Sequence, residues 1–298
     1  MNGSKLEFTR LAPEHVERLR PFFRDNRCGI CDCTMGGTFI WRDYHKTEFA
    51  VADGVLYMKI EHPTAAFSPP RGPLANKRAY ERIMEYCEER GRPAVLCSVS
   101  ESVAHDIAEM FPGSRAWTDR AWSDYLYDSR DMVNLEGRKY SGQRNHINRF
   151  LREHPDWSFD AVTGENLEKT RSYIEKFARN FEKDPSVYME GNRKALETLD
   201  NLELYRQFAG ALSVSGEIVG VSIGEISGDT LYIHAEKADT SYHGAYPMLM
   251  NMFAKRFVTD EIRFVNREED DGVEGLRTSK LSYHPIRLLE KYMVELKA

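Results

Sequence analysis

At 298 residues the chain is about twice the usual length of one domain, so two domains are expected. Its 41% hydrophobic and 11% aromatic content fills ordinary cores, and a net charge of −6 speaks against broad nucleic-acid binding while allowing a local basic groove. No apolar run approaches the ~18 residues of a membrane span, and the opening MNGSKLEFTR has no signal-peptide core, so a cytoplasmic protein without integral membrane association is expected.

The first half reads as one mixed unit. Leu6–Thr9 alternates like a strand, and Pro13–Arg24 has the spacing of a helix begun at proline. The five cysteines are an odd count, which suits reduced thiols rather than a disulfide framework. Cys28, Cys31 and Cys33 cluster in CGICDC, but no fourth ligand follows at zinc spacing. The cluster is therefore read as structural and metal-free, with a redox role as the alternative. Cys87 and Cys97 read as core. Glu48–Ala52 and Val55–Ile60, joined by Asp53-Gly54, form a hairpin signal. A helix over Leu74–Arg90, a buried strand over Pro93–Val99, a helix over Glu101–Phe111 and a strand over Trp122–Tyr127 follow. The boundary falls near 128–136, giving domains of 1–130 and 131–298.

The second half repeats the scheme. A basic helix over Gly137–Glu153 gathers Arg138, Asn145, Arg149 and Arg152 on one face, with Arg144 beside them. It reads either as a solvated surface or as a cationic wall for a phosphate-bearing ligand. Trp157–Val162 is a strand, and Leu167–Phe181 and Lys194–Leu202 are helices. A meander of Phe208–Val214, Glu217–Glu225 and Thr230–Glu236 turns at Ser215-Gly216 and Ser227-Gly228-Asp229. Gly220 and Gly224 share a strand face and mark a bulge or a ligand approach, the bulge being preferred. The last strand of the meander leads through a glycine turn at Gly244-Ala245 into a helix over Met248–Val258, an arrangement that can bind an anion. After the apolar run Ile262–Val265 comes NREEDDGVEGLRTSKLSYHP, residues 266–285. Asp271 and Glu274 have capping-box spacing, and Pro285 ends the helix.

The spacing Gly275-Leu276-x-x-x-Lys280-x-x-Tyr283-x-Pro285 resembles the C-terminal signature of phosphatidylglycerol lysyltransferase catalytic domains. Gly137–Phe150, Glu236–Ala245 and Asn266–Tyr292 carry the same resemblance. The meander, glycine turn and helix also resemble the fold of the GCN5-related N-acetyltransferases, whose loop typically reads Gln/Arg-x-x-Gly-x-Gly/Ala. Aligned on Gly244, this chain has Ser241 and Tyr246 at the outer positions, two departures from the coenzyme A pattern. Arg71-Gly72-Pro73 is a poorer counterpart in the first half. The resemblance implies an α+β chain of two tandem acetyltransferase-like domains, each a mostly antiparallel sheet flanked by helices, with the working site in the second. Lipid-modifying members move an amino acid from aminoacyl-tRNA to a lipid headgroup and carry a large membrane region. This sequence shows no such region, so another acceptor is expected.

Aminoacyl transfer needs a grip on an amine, a base for the nucleophile and stabilisation of a carbonyl oxygen. Glu268, Glu269 and Asp270 are candidates to hold a cationic amine, and Glu236 or His234 to act as base. Lys280 and Arg277 are candidates to stabilise an oxyanion or hold phosphate, with Asn266 and Tyr283 completing the substrate site. His234 alternates with Leu231 and Ile233 and also reads as an inward, hydrogen-bonded residue. The donor is expected to be a small molecule or activated acyl group, either aminoacyl-tRNA with a local tRNA contact or acyl-coenzyme A. The competing reading is a catalytically silent small-molecule or protein-binding module. Gly-x-Ser-x-Gly, P-loop and zinc-protease motifs are absent, which removes support for hydrolase and nucleotide-triphosphatase readings.

Overall fold

The computed structural model describes residues 5–24, 28–179 and 187–297, with backbone alone for 187–189. It divides into two compact units. One runs up to Asp124 and regains Glu269–Gly272 and the stretch from Leu288; the other holds Tyr125–Glu268 and Val273–Arg287. The chain thus switches units at Tyr125, and its last residues return to the first unit.

The first unit opens with β1 (Thr9–Arg10) and α1 (Val16–Leu19), the latter flanked by 3₁₀ turns at Pro13–His15 and Arg20–Phe23. The single helix expected over Pro13–Arg24 is therefore broken. Pro21 lacks the N–H that would reach back to Glu17, so the chain tightens there instead of continuing. A 3₁₀ turn at Cys31–Cys33 precedes α2 (Met35–Ile40), capped by the Thr34 side chain on Gly37 N–H. Then come β2 (Glu48–Ala52), β3 (Val55–Ile60), β4 (Ala66–Phe67), α3 (Lys77–Glu88), β5 (Val95–Ser100), α4 (Glu101–Met110) and β6 (Arg115–Thr118). The hairpin at Asp53-Gly54 forms as read, with both residues at positive φ.

Next come β7 (Asp124–Asp128), α5 (Ser129–Asn134), α6 (Ser141–Glu153), β8 (Trp157–Ala161) and α7 (Leu167–Arg179). The end expected for α7 at Phe181 lies outside the described residues. α8 (Val187–Asp200), α9 (Leu202–Tyr205), β9 (Phe208–Val214), β10 (Glu217–Ser227), β11 (Thr230–Ala238), α10 (Ala245–Phe257) and β12 (Phe264–Asn266) follow. The chain closes with α11 (Glu274–Leu281), β13 (Arg287–Leu289) and β14 (Lys291–Glu295). The capping box expected from Asp271 does not form: the N-cap of α11 is Val273, which offers no side-chain cap. Asp271 instead sits at φ 49° in a turn closed by Gly272 N–H on the Asp270 carboxylate, 2.9 Å. The local Asx-type turn wins over the helix cap.

Each sheet has seven strands, in the orders β1-β2-β3-β4-β5-β14-β6 and β13-β7-β12-β11-β10-β9-β8. Most neighbouring strands pair antiparallel, and each sheet holds a parallel pair. β4 and β5 pair parallel across α3, and β11 and β12 pair parallel across α10. One topology thus occurs twice, that of two tandem acetyltransferase-like domains. Tyr57, Phe67, Ile83, Leu96 and Val294 anchor the first core. In the second, Phe150, Leu212 and Leu249 pack beneath α10, and Ile174, Leu199 and Ile223 beneath α7 and α8. Among the described residues no helix is long and apolar enough to cross a membrane.

One glycine lets α10 lie on its sheet, and another lets it start against α6. The register shifts opposite Ile223 and Gly224, where His234 is the extra residue on β11, and a Cβ at Gly224 would meet Tyr232 O at 2.3 Å and the Phe253 ring at 3.2 Å. Gly244 caps α10 at φ 87°, and a Cβ there would meet His146 O at 2.3 Å. Gly244→Ala is expected to lose about 1–3 kcal/mol from backbone strain alone, and more from the clash. A lowered urea midpoint with unchanged slope would report it.

Candidate functional site

Strand β11 carries His234 and Glu236 near its end, and His234 is the extra residue of a bulge against β10, so simple alternation does not hold between the two. Strand β12 runs parallel to it and delivers Asn266, then Arg267 and Glu268 in the turn beyond. Arg267 donates from Nε (2.9 Å) and Nη2 (2.7 Å) to one oxygen of Glu236, Oε2. This one-sided grip leaves Glu236 Oε1 and Arg267 Nη1 buried with no hydrogen-bond partner among the described residues. Ser222 Oγ, on the β10 residue directly opposite Glu236, is left the same way. Buried polar atoms are normally satisfied, so three orphans in one neighbourhood call for an occupant.

Arg267 is 7% exposed and lies over the rings of Tyr283 (4.8 Å) and Tyr127 (6.0 Å). Burial alone would weaken its charge, but the Glu236 carboxylate holds its pKa well above the usual value. It lines a cavity of about 360 Å³ with Gln143, His146, Tyr246, Ser282 and Tyr283. Tyr246 also borders a larger cavity of about 640 Å³, walled by Tyr173, Phe177, Asp239 and Tyr242. The Tyr246 hydroxyl is pushed up by burial, and the Glu236 charge adds to this.

The residues expected from the sequence fall into different places. His234 is held between two carboxylates, with Nε2 2.8 Å from Glu225 and Nδ1 2.7 Å from Glu268. Burial opposes its charge, yet the two acids raise its pKa to about 10. An imidazole held in its charged form between two acids is poorly placed to take up a further proton. Lys280 Nζ donates to the carbonyls of Arg267 (2.5 Å) and Glu268 (3.2 Å), and Tyr127 OH donates to Lys280 O. Lys280 therefore fixes the turn that carries Arg267 rather than facing a ligand. Asn266 is buried and accepts from Glu268 N–H at 2.7 Å. Arg277 is half-buried on α11. Tyr283 lies beneath Arg267, its carbonyl held by Tyr140 OH at 3.1 Å.

The basic wall is only partly available. Arg144 binds the carbonyls of Leu135 and Gly137, and Arg149 pairs with Glu153 at 2.7 Å. Arg138 and Asn145 are exposed. At the start of α10, Ala245 N–H is spent on Tyr242 O, and Pro247 has none to offer. Two of the first three helical positions thus give nothing to a phosphate, which weakens the anion site read at Gly244 and Ala245.

The acidic block does not form one wall for an amine. Glu268 serves His234, whereas Glu269 and Asp270 belong to the first unit. Asp270 is fully buried, accepting from Arg120 at 3.3 Å and from Gly272 N–H. Glu269 joins a second cluster. There Lys291 Nζ lies 2.6 Å from Asp32, 2.7 Å from Asp124, 2.6 Å from Glu269 and 3.3 Å from Cys31 Sγ. Burial pushes Asp124 up to about 7 against the pull of Lys291. For Asp32 and Glu269 Lys291 outweighs burial, and both are held below the usual range. Burial and the surrounding acids push the Cys31 thiol well up. Donor atoms of Cys31, Asp32, Asp124 and Glu269 lie within 4.8 Å of one another, the reach of a metal ion, and the Lys291 ammonium bonds to all four.

Arg267, Ser222, Glu225, Asp124 and Lys291 escaped the sequence reading. Glu225 and Lys291 each place a charge inside a strand, a signal that alternation carries but that names no partner.

Residues 29–295 match the family model for "Phosphatidylglycerol lysyltransferase, C-terminal". A conserved protein of unknown function from Bacteroides thetaiotaomicron is 31% identical, with a TM-score of 0.90 over 98% of this chain and 100% of that one. The C-terminal domain of a proposed lysylphosphatidylglycerol synthetase from Agrobacterium fabrum is 14% identical, with a TM-score of 0.69 over 96% and 92%. That likeness is one of fold. An uncharacterised protein from Mycoplasmoides gallisepticum is 25% identical over 186 residues, 58% of this chain and 56% of its own length. The chain thus spans about half of that curated relative.

Proposed function

We propose that this chain, which belongs to the phosphatidylglycerol lysyltransferase C-terminal family, is an aminoacyltransferase whose reacting site is built by Glu236 and Arg267 in the second unit. The observation that carries this reading is the orphaned trio of Glu236 Oε1, Arg267 Nη1 and Ser222 Oγ. An activated aminoacyl ester meeting a nucleophile satisfies two of the three: Arg267 Nη1 faces the carbonyl oxygen, and Glu236 Oε1 accepts the proton of the attacking amine or hydroxyl. As that bond forms, charge grows on the carbonyl oxygen, where a fixed guanidinium stabilises it. The ester C–O bond then breaks, and the proton held at Glu236 passes to the departing ribose oxygen. Tyr283 beneath Arg267 and Lys280 on its carbonyl hold the guanidinium in place.

The donor that fits is aminoacyl-tRNA. A coenzyme A thioester needs the phosphate grip that Pro247 and the spent Ala245 N–H withhold, whereas exposed Arg138 and Arg152 on the basic helix region suit a local backbone contact with tRNA. The cavity beyond Tyr246 leaves a separate approach for the acceptor.

The test is release of labelled amino acid from a mixture of charged tRNAs, with amines and phosphatidylglycerol vesicles offered as acceptors. Arg267→Lys keeps the buried charge but loses the fork, and should cut turnover by about 100-fold or more. Glu236→Gln keeps the contact to Arg267 and should do likewise. Binding of charged tRNA without turnover in the wild type identifies the silent binding module instead. Unchanged turnover in both variants places the site elsewhere.

A further inference from the structure

Among the described residues, the first sheet ends on a strand with nothing paired to its far side. β6 pairs with β14 alone, in the register Thr118–Tyr292, Trp117–Met293, Ala116–Val294 and Arg115–Glu295. All four of its residues are exposed, and so is Asp119 after them. By contrast β8, an edge of the second sheet, keeps every other residue half-buried, with Phe159 close over Gly210. β1, at the other edge of the first sheet, spans two residues, too few for a ladder. An open row of backbone N–H and C=O groups is a template for another strand.

Two features say what fits there. Trp117 is 39% exposed, and Trp122, in the 3₁₀ turn Arg120–Trp122 just beyond, is 37% exposed. Aromatic area of this kind is concentrated at interfaces. The second feature is charge. Arg115 makes no ion pair among the described residues, while Glu295, opposite it on β14, pairs with Lys297 at 3.2 Å. Asp119 commits one carboxylate oxygen to Ala121 N–H at 2.8 Å and likewise makes no ion pair among the described residues.

We propose that β6 docks onto β6 of a second copy of this chain, antiparallel, with the two-fold axis at Trp117. In such a pair, residues equally far from the axis oppose one another. An axis at Trp117 sets Trp117 against its own copy, Ala116 against Thr118, and Arg115 against Asp119. Symmetry then makes the Arg115–Asp119 pair twice, once at each end of the strand. The next registers, with axes at Ala116 or Thr118, oppose Arg115 to Trp117 or Ala121 instead. Charge therefore selects one register, in which two seven-stranded sheets join edge to edge.

Sedimentation velocity on the full chain, from low to high micromolar, should show a concentration-dependent equilibrium of monomer and dimer. Arg115→Asp and Asp119→Arg each place like charges at both ends of the pair, and each should weaken the dimer about tenfold or more. Mixed in equal amounts the two variants should dimerise again, since every opposed pair then joins opposite charges. Trp117→Cys gives a second measurement. Opposed Cα atoms in an antiparallel pair are about 4.5–5.5 Å apart, inside the range a disulfide spans. Air oxidation should yield a dimer whose crosslinked peptide joins position 117 to itself. A chain monomeric throughout the range, a mixture no more dimeric than its parts, or a dimer untouched by either charge reversal would overturn the proposal. So would a crosslink made only through the native cysteines.

Discussion

Replacing His234 with glutamine is expected to cost the second unit about 3–5 kcal/mol, the usual loss when one partner of a buried ion pair is removed. Its imidazolium stands between Glu225 and Glu268 with a side chain only 2% exposed. Glutamine can donate to one acid but turns an oxygen towards the other. The pH dependence has a definite sign. The pKa of His234 is about 10 in the fold, against 6.5 for the ordinary side chain. Between those values the folded state holds a proton that the unfolded chain has lost, so stability falls as pH rises. The contribution is complete below about 6.5 and gone above about 10, and at ~1.4 kcal/mol per pH unit it reaches about 5 kcal/mol. Lys237 works in the opposite direction, since burial lowers it to about 8. The difference between wild-type and His234→Gln urea midpoints from pH 6 to 10 isolates the histidine. Two parallel profiles would show that the imidazole is neutral in the fold.

That histidine marks where the sequence stops being legible. Period-two alternation, the Asp53-Gly54 turn and the hairpins at Gly216 and Gly228 depend on neighbours a few residues apart, and these elements form as read. The glycine turn before α10 also depends on local chain, and its equivalence to the first half follows from one parallel pair in each sheet. Charge partners are different, because they come from other strands. His234 takes its acids from positions 225 and 268, and Lys280 finds two backbone carbonyls that no side-chain pattern announces. Within the stretch 266–285 the buried group left with an orphaned atom is Arg267, which stands between the residues singled out on either side. Its acids divide because a tight turn at Asp271 and Gly272 sends Glu269 and Asp270 to the first unit. In the same way residues 287–295 form two short strands in different sheets, with Glu290 between them.

Lys291→Met should be the most damaging single change in the first unit. Its ammonium bonds Asp32, Asp124 and Glu269 with a side chain 7% exposed, and removal leaves three acids facing one another beside the Cys31 thiol. The loss is expected to be about 3–5 kcal/mol near neutral pH. It should not be uniform in pH. In the wild type, Asp32 and Glu269 have lowered pKa values, so their contribution is present above the ordinary carboxylate range and lost on acidification. Asp124, raised to about 7, has the opposite sign and loses its contribution as pH rises through that value. Without Lys291 every carboxylate in the cluster is raised by burial and mutual repulsion, and all take the second sign. The variant should therefore recover towards pH 5 and worsen towards pH 8 more steeply than the wild type, in which Asp124 alone has that sign. Zinc offers a second route to relief, because the four donor atoms already lie within 4.8 Å of one another. Millimolar zinc should raise the variant's melting temperature at pH 8 and leave the wild type unmoved, since there the ammonium holds the same four atoms. A variant as stable as the wild type at pH 8 would mean that Lys291 contributes no net stability to the cluster.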